Sequence, residues 1–195
     1  MKKDYFQVYF EYAAEVIKKL DKKEVEKTLN YLLKIKNRKG RLFLLGVGGS
    51  AANCTHAVND FHKICHIEAY TPVDNVSELT AWTNDNGWQS VFVEWLKISR
   101  LNKRDGVLVY SVGGGNLEKN ISANIVEALK FAKKVKATIL GIASRDGGYT
   151  KKVADSCILV PVIHKDFITP LAESFQVVIW HAIVTHPKLR EVEPY

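Results

Sequence analysis

Short, uninterrupted apolar runs separated by helix-length segments are the feature that most constrains the fold of this chain. Continuous apolar strands are typical of a parallel sheet whose two faces are both covered by helices. The pattern therefore predicts a doubly wound α/β fold whose five parallel strands are joined by right-handed βαβ units. Four runs are strong and a fifth is weaker: RLFLLGV at 41–47, GVLVYSV at 106–112, ATILGIA at 137–143, SCILVP at 156–161 and, weakest, IEAYTP at 67–72.

Two amphipathic segments precede the first strand. In residues 4–20 the apolar side chains form a stripe wider than one helix face, which predicts a helix that packs on two sides and contributes to a subunit interface. Asp21 and Glu24 have the spacing of a capping box, and the second helix is expected to continue from there to about Asn37.

The length of the chain indicates a single domain. A chain of 195 residues can bury a full core and lies in the size range of one domain. We therefore expect residues 1–195 to form one domain, with the helices in 1–38 and the α/β core in 41–195.

Composition narrows the classes of function. The net charge is +7, yet residues 1–41 hold 12 of the 28 basic and 6 of the 21 acidic residues, and the two signs alternate as on a solvated helix face. We therefore expect no nucleic-acid partner. Three widely spaced cysteines argue against a disulfide framework. The apolar runs are too short for a membrane span, and Asp4, Glu11 and Glu15 stand where a signal peptide would be apolar. The expected location is cytoplasmic, with no membrane partner.

Two glycine-rich turns, GVGGS at 46–50 and SVGGGN at 111–116, each follow a strand and precede a helix. Ligands of parallel sheets bind at the carboxyl ends of strands, where helix N-termini favour anions. The second turn is expected to lead into a helix beginning near Leu117. One such turn alone would indicate only a tight reversal, but two at equivalent strand ends favour a ligand site. A dinucleotide site at GVGGS stays open, because Glu68 lies near the spacing of a ribose-binding acid.

The helix after GVGGS carries a polar stripe of Asn53, His56 and Asp60. His56 and Asp60 are one turn apart on one face, so they suit two metal ligands, a histidine oriented by a carboxylate, or a solvent-facing pair. The position of the stripe directly after the glycine turn favours a role in the site.

A second helix with polar residues lies near the C-terminus, starting at Thr169-Pro170 and stopping before Pro187. Glu173 and His181 share one face of this helix, two turns apart. On a mainly apolar helix they are either paired structurally or form a second acid/base or metal pair. The remaining four histidines lack such partners and are expected to be structural or exposed: His62, His66, His164 and His186.

These motifs resemble the sugar isomerase (SIS) domain family, and within it the phosphoheptose isomerases. The resemblance runs from about Val16 to His186 and is carried by GVGGSAANCTH, DNVSELTAWTNDNGW at 74–88, SVGGGN, GIASRDGG at 141–148 and the helix containing His181. It implies a flavodoxin-like SIS domain and a homotetramer with active sites at subunit interfaces. The implied reaction is an aldose–ketose isomerisation of sedoheptulose 7-phosphate to D-glycero-D-manno-heptose 7-phosphate, which supplies heptose for lipopolysaccharide, capsule or related surface glycans.

The resemblance also implies roles for individual residues. Asp60 would be the catalytic base and His181 the acid, and one zinc ion per subunit, with no organic cofactor, would be held by His56, Asp60, Glu173 and His181. Other positions would bind the phosphate and the sugar: Ser50, Asn53, Asn84, Asp85, Ser111, Gly113, Gly114, Gly115 and Asn116.

Three positions depart from the family pattern. The family's base is usually glutamate, which is longer than Asp60 by one C–C bond, about 1.5 Å. The family's metal-site glutamine is Glu173 here, and SVGGGN lacks most hydroxyls of the family's phosphate loop. Two alternatives therefore stay open: a non-catalytic SIS adaptor or sugar-phosphate sensor that binds a protein partner, and an isomerase of another sugar phosphate, such as a pentose or a hexosamine.

Overall fold

A five-stranded parallel sheet forms the centre of the computed structural model, which describes residues 4–192. The first and last three residues of the expected domain 1–195 lie outside that range. The strand order β2-β1-β3-β4-β5 is that of flavodoxin-like doubly wound folds, so the predicted fold class is confirmed. All five predicted runs form strands: β1 Leu42–Gly46, β2 Ala69–Tyr70, β3 Gly106–Tyr110, β4 Thr138–Ser144 and β5 Ser156–Val160.

Helices cover both faces of the sheet, which explains why its strands are apolar throughout. Along β1, Leu42 and Leu44 face one hydrophobic cluster, whereas Phe43 and Leu45 face the other. The first cluster includes residues of α1, α2, α3 and α8, and the second includes residues of α5 and α6 with α4 and α7 packed against it. The helix bounds are α1 Tyr5–Lys19, α2 Lys22–Asn37, α3 Gly49–Lys63, α4 Val76–Asn86, α5 Val91–Ile98, α6 Ala123–Lys134, α7 Gly148–Val153 and α8 Ile168–Val184.

The loop after β3 differs from the prediction. No helix starts near Leu117; instead the chain makes a turn closed by an antiparallel bridge between Asn116 and Ile121, and α6 begins at Ala123. The turn is stabilised locally, because the Asn116 side chain accepts the N–H of Lys119 at 2.9 Å. The two backbone hydrogen bonds between Asn116 and Ile121, at 2.8 and 2.9 Å, engage these groups in the turn, and the helix begins only after it.

The predicted capping box at the start of α2 is half formed. The Asp21 carboxylate accepts the N–H groups of Lys23 and Glu24, as an N-cap should. The Glu24 side chain does not return to the cap. It accepts the Ser156 hydroxyl at 2.8 Å and the Cys157 N–H at 3.0 Å, so it connects α2 to β5.

The C-terminal helix lies in the core. By length and composition alone, Lys165–Val184 resembles a membrane span. In the structure, however, α8 buries Phe175, Ile179 and Trp180 in the first hydrophobic cluster. The segment is therefore a core helix of the α/β fold, and its apolar composition reflects that packing.

Candidate active site

Three polar side chains from two helices converge at one point. His56 and Asp60 lie one turn apart on α3, and His181 comes from α8. Their contacts share a single oxygen, because Nε2 of His181 is 3.2 Å and Nε2 of His56 is 3.5 Å from Oδ2 of Asp60. The structure thus joins the predicted α3 pair to one member of the predicted α8 pair.

The Asp60 carboxylate is almost buried, with 7% of the residue exposed. Its Oδ2 accepts the indole N–H of Trp180 at 2.9 Å, and its Oδ1 accepts the amide of Asn59 at 3.3 Å. A buried carboxylate requires such partners, since an unpaired charge is costly away from water. The Trp180 ring in turn stacks on Tyr110, and burial raises the pKa of the Tyr110 hydroxyl well above its usual range.

The geometry of the three side chains fits a zinc-type ion. His56, Asp60 and His181 each offer one potential metal-ligand atom, and the three atoms lie within 4.8 Å of one another. In tetrahedral zinc sites with bonds of about 2.0–2.1 Å, ligand atoms are roughly 3.3–3.4 Å apart, close to the two histidine–aspartate separations of 3.2 and 3.5 Å. Two imidazoles and one carboxylate are also the ligands of catalytic zinc sites that keep an open coordination position.

Glu173, the fourth expected ligand, lies elsewhere. Its carboxylate rests against Gly49 at the start of α3, where a Cβ on Gly49 would be 2.5 Å from Glu173 Oε2. The positive end of the α3 dipole favours a carboxylate at that place. The structure therefore brings together three of the four predicted metal ligands, with Glu173 at the other end of the α3 polar stripe.

A hydrogen-bonded chain between α3 and α8 accounts for two further predicted residues. Asn53 donates its side-chain amide to the Gln176 side chain at 2.8 Å and to the Glu173 carbonyl at 3.0 Å. Gln176, which is fully buried, donates to the Ser50 hydroxyl at 3.0 Å. Asn53 and Ser50 thus help to fix the two helices that carry the His/Asp/His cluster.

A cavity of about 240 Å³ opens beside the start of α3. Three of its lining residues were predicted to bind phosphate: Ser50, Ser111 and Gly113. Among the described residues that line the cavity, Arg145 is the only charged one. Ser50 lies six residues before His56, or about 9 Å along α3, on the order of the length of a seven-carbon sugar phosphate. The lining residues are Val47, Ser50, Ser111, Val112, Gly113, Ile121, Ser122, Arg145 and Thr169.

The three consecutive glycines of SVGGGN have unequal roles. Gly114 uses its N–H to bond the Ser111 hydroxyl at 3.0 Å and its carbonyl to bond the Thr150 N–H. The Gly115 carbonyl accepts the N–H of Tyr149, so both glycines attach the loop to α7. Gly113 has open space around it and lines the cavity, which leaves it as the glycine placed for a ligand.

The remaining predicted residues are not part of this cavity. Asn84 and Asp85 are exposed on α4, where the Asn84 amide bonds the Asp85 carboxylate at 2.8 Å. Asn116 caps the turn that follows SVGGGN. None of these three residues lines the cavity, but the backbone of Asn116 pairs with that of Ile121, which does.

Sequence reasoning missed four residues of the site. Ser122, Arg145 and Thr169 line the cavity, and Trp180 bonds Asp60. Arg145 directly follows β4, and its position at the carboxyl end of a parallel strand, where ligands bind, is a signal present in the sequence. Trp180 had no such signal, because a large aromatic residue on an apolar helix is usually a core residue.

Comparisons with known proteins identify relatives of this chain by sequence and by structure. None of the sequence models of known protein families matches the chain. The lincomycin biosynthesis protein LmbN of Streptomyces lincolnensis is 30% identical over 154 residues, which are 74% of this chain; the chain thus spans about half, 54%, of the length of LmbN. A phosphoheptose isomerase of Helicobacter pylori is 28% identical over 142 residues, 70% of each chain.

A solved structure shows the same fold. The phosphoheptose isomerase of Neisseria gonorrhoeae superposes with a TM-score of 0.78 at 23% identity and covers 92% of this chain and 95% of that one. The fold is the one seen in the phosphoheptose isomerase structures. In sequence and in fold, this chain is similar to the phosphoheptose isomerases.

Proposed function

We propose that this chain is a sugar-phosphate isomerase that converts sedoheptulose 7-phosphate to D-glycero-D-manno-heptose 7-phosphate. The observation that carries the proposal is the His56, Asp60 and His181 cluster on the same two helices that border the Ser50 and Ser111 cavity. The relatives named phosphoheptose isomerase support the same activity.

The reaction moves a proton between neighbouring sugar carbons through an enediol. Asp60 takes the proton from C1 of the ketose while His181 gives a proton to the C2 carbonyl oxygen, so the electron pair of the C–H bond becomes the C1–C2 double bond. Asp60 then returns the carbon proton to C2 while the neutral His181 takes the O1 proton, which forms the C1 aldehyde and restores both residues. A carboxylate and an imidazole are suited to these two transfers.

The cluster is also the proposed zinc site. His56, Asp60 and His181 would hold the ion, with the histidines bound through Nε2 and the proton that His181 transfers carried on its Nδ1. A divalent cation bound there would supply Lewis-acid polarisation of substrate oxygens. Oδ2 of Asp60 is the oxygen nearest both imidazoles, whereas Oδ1 contacts the Asn59 amide at 3.3 Å. Oδ1 is therefore the oxygen assigned to the carbon-bound proton. Glu173, placed at the start of α3, would contact the sugar or approach the ion when substrate binds.

The phosphate would bind in the 240 Å³ cavity. The hydroxyls of Ser50, Ser111 and Ser122 provide hydrogen bonds there, and Arg145 provides the positive charge that the glycine-rich loop lacks. Gly113 would offer its backbone at the open side of the loop. The start of α3 adds the favourable end of a helix dipole.

The assembled enzyme would be a cytoplasmic homotetramer, each chain one SIS domain, with active sites at subunit interfaces. Asn84, Asp85 and Asn116 would contact the sugar from such an interface, since they lie outside the cavity of their own chain. The product would supply heptose to a surface glycan such as lipopolysaccharide or capsule.

The direct test is conversion of sedoheptulose 7-phosphate by purified protein, followed by NMR with and without added Zn²⁺. We expect turnover in the wild type and a loss of at least about a hundredfold in Asp60→Asn, because the base is removed. Thr55→Ala, an exposed change on the same helix whose hydroxyl bonds only the Ala52 carbonyl, is the matched control. Absence of any conversion in both conditions, while the sugar phosphate still binds, would contradict the proposal.

Further measurements distinguish the two alternative functions from the proposed one. A sensor or adaptor requires binding alone, so Asp60→Asn and His181→Ala would leave its biological activity unchanged. The clustered acid, base and metal-type ligands favour catalysis over that alternative. An isomerase of a pentose or hexosamine phosphate would show its highest kcat/KM on that substrate in a panel of sugar phosphates.

A further inference from the structure

One buried aromatic ring contacts all three members of the His/Asp/His cluster. The indole N–H of Trp180 donates to Oδ2 of Asp60 at 2.9 Å. The same ring meets His56 edge-on at 5.2 Å between centroids and His181 at 5.0 Å. Trp180 thus has direct contact with each residue assigned to the chemistry, although only Asp60 receives a hydrogen bond from it.

The indole is held in place by its surroundings. Trp180 is 1% exposed and stacks on the fully buried Tyr110 of β3, with ring planes 12° apart. Tight packing of this kind leaves a side chain one rotamer. The position of the N–H is therefore determined by the core and not by the carboxylate that accepts it.

The hydrogen bond determines how the carboxylate is presented. An indole N–H is only a donor, and a carboxylate oxygen has two lone-pair positions. Trp180 occupies one lone-pair position of Oδ2. The other position remains for the Nε2 atoms of His181 and His56, which lie 3.2 and 3.5 Å from Oδ2. Removing a residue that orients a metal ligand in this way typically lowers metal affinity or activity by about 10–100-fold.

We propose that Trp180 is a positioning residue whose indole N–H holds Oδ2 of Asp60 toward His56 and His181, and that it thereby sets both the divalent-cation affinity of the cluster and the rate of proton transfer. The part that concerns the rate rests on the proposed isomerase function. The part that concerns cation affinity can be measured without turnover.

The experiment compares Trp180→Phe with the wild type. Phenylalanine keeps an aromatic ring in the core and removes only the donor and one ring of the indole. We expect Co²⁺ to bind about 10–100-fold more weakly, measured by competition with a chromophoric chelator, and kcat to fall by a similar factor while KM changes less than about threefold. Trp95→Phe, a tryptophan packed on Phe43 on the other face of the sheet, is the matched control and should change neither.

A double-mutant cycle distinguishes positioning from a general structural effect. If Trp180 acts through the carboxylate, Trp180→Phe will cause almost no further loss of Co²⁺ affinity in an Asp60→Ala background. Should Trp180→Phe fail to fold, benzothienylalanine at the same position removes the N–H without changing the ring shape, and the same losses are expected.

Each outcome decides the proposal. Unchanged Co²⁺ affinity and unchanged kcat in the folded variant, or equal losses in the presence and absence of Asp60, would overturn it. A wild-type protein that binds Co²⁺ but does not isomerise the heptose phosphate would contradict the proposed function alone, and the Co²⁺ titrations would still test Trp180. A wild-type protein that neither binds Co²⁺ nor isomerises the heptose phosphate would overturn both the Trp180 proposal and the proposed function.

Discussion

The Asp60 carboxylate receives contacts from both imidazoles and from the indole through one oxygen. The resemblance to phosphoheptose isomerases implied a glutamate here, and Asp60 is shorter by about 1.5 Å. In this chain the shorter side chain still reaches Nε2 of His181 at 3.2 Å. The aspartate is therefore within hydrogen-bonding distance of the proposed acid.

Arg145 gives a prediction about substrate binding. If it supplies the positive charge for the phosphate, Arg145→Gln will raise KM for the sugar phosphate by about 10–100-fold, because a charge-assisted hydrogen bond is replaced by a neutral one. The value of kcat should change much less. Steady-state kinetics measure both, and Lys152→Gln, on exposed α7, is the control. An unchanged KM would remove Arg145 from the phosphate site.

Two adjacent glycines give a prediction about stability. A Cβ on Gly114 would lie 1.8 Å from the Gly147 carbonyl oxygen, and the φ of Gly114 is +71°. Gly114→Ala should therefore lower the free energy of unfolding by about 3 kcal/mol or more, because both the backbone clash and the strain must be accommodated. Gly113→Ala is the control, since a Cβ there meets open space and should cost about 1 kcal/mol or less. Urea unfolding of the two variants compares them directly, and equal midpoints would contradict the structure.

At the scale of elements, Glu24 connects α2 to β5. Burial raises the pKa of Glu24, but the hydrogen bonds from Ser156 and Cys157 and the nearby Lys27 and Lys151 outweigh burial, so its pKa lies below the usual 4.5. A carboxyl with a lowered pKa in the folded state contributes stability above its unfolded pKa. That contribution is lost as the pH falls through the lower, folded pKa.

Glu24→Gln should therefore destabilise the protein at neutral pH by about 1–2 kcal/mol, the usual size for a hydrogen bond to a charged group. The difference from the wild type should shrink as the pH falls below 4.5, where the wild-type side chain also becomes neutral. Denaturant titrations between pH 7 and pH 3 measure this trend. Glu26→Gln, an exposed change on the same helix, should show almost no difference at any pH.

At the scale of the whole molecule, α1 shows two different sides. Tyr9 and Tyr12 pack on Phe167, whereas Phe6 and Phe10 are 66% and 65% exposed. Large exposed aromatic side chains in a row are unusual on a monomer and are typical of an interaction surface. The second side of α1 is thus available for the proposed subunit contact.

Phe6→Glu combined with Phe10→Glu should dissociate the proposed tetramer, because charges replace the apolar contact. Sedimentation should give a mass well above the 22.0 kDa of one chain for the wild type and close to that value for the variant. Ile98→Glu, an exposed apolar residue on α5, is the control and should keep the wild-type mass. A wild type that sediments as an active monomer would contradict the proposed assembly.

The sequence by itself determined the sheet, both glycine turns and the adjacency of His56 and Asp60, because each depends on local periodicity or on spacing within one helix. A local pattern also gave one wrong prediction: the chain forms a turn at Asn116 where the start of a helix was expected.

Only the tertiary structure decided which residues meet across elements. The bond between Asp60 and Trp180 joins positions 120 residues apart, and Arg145 approaches Ser50 from a different strand end. It also placed the Glu173 carboxylate against Gly49 at the start of α3 and His181 beside Asp60. Such contacts depend on how α3, α8 and the sheet pack, and packing is a property of the assembled core that no single segment encodes.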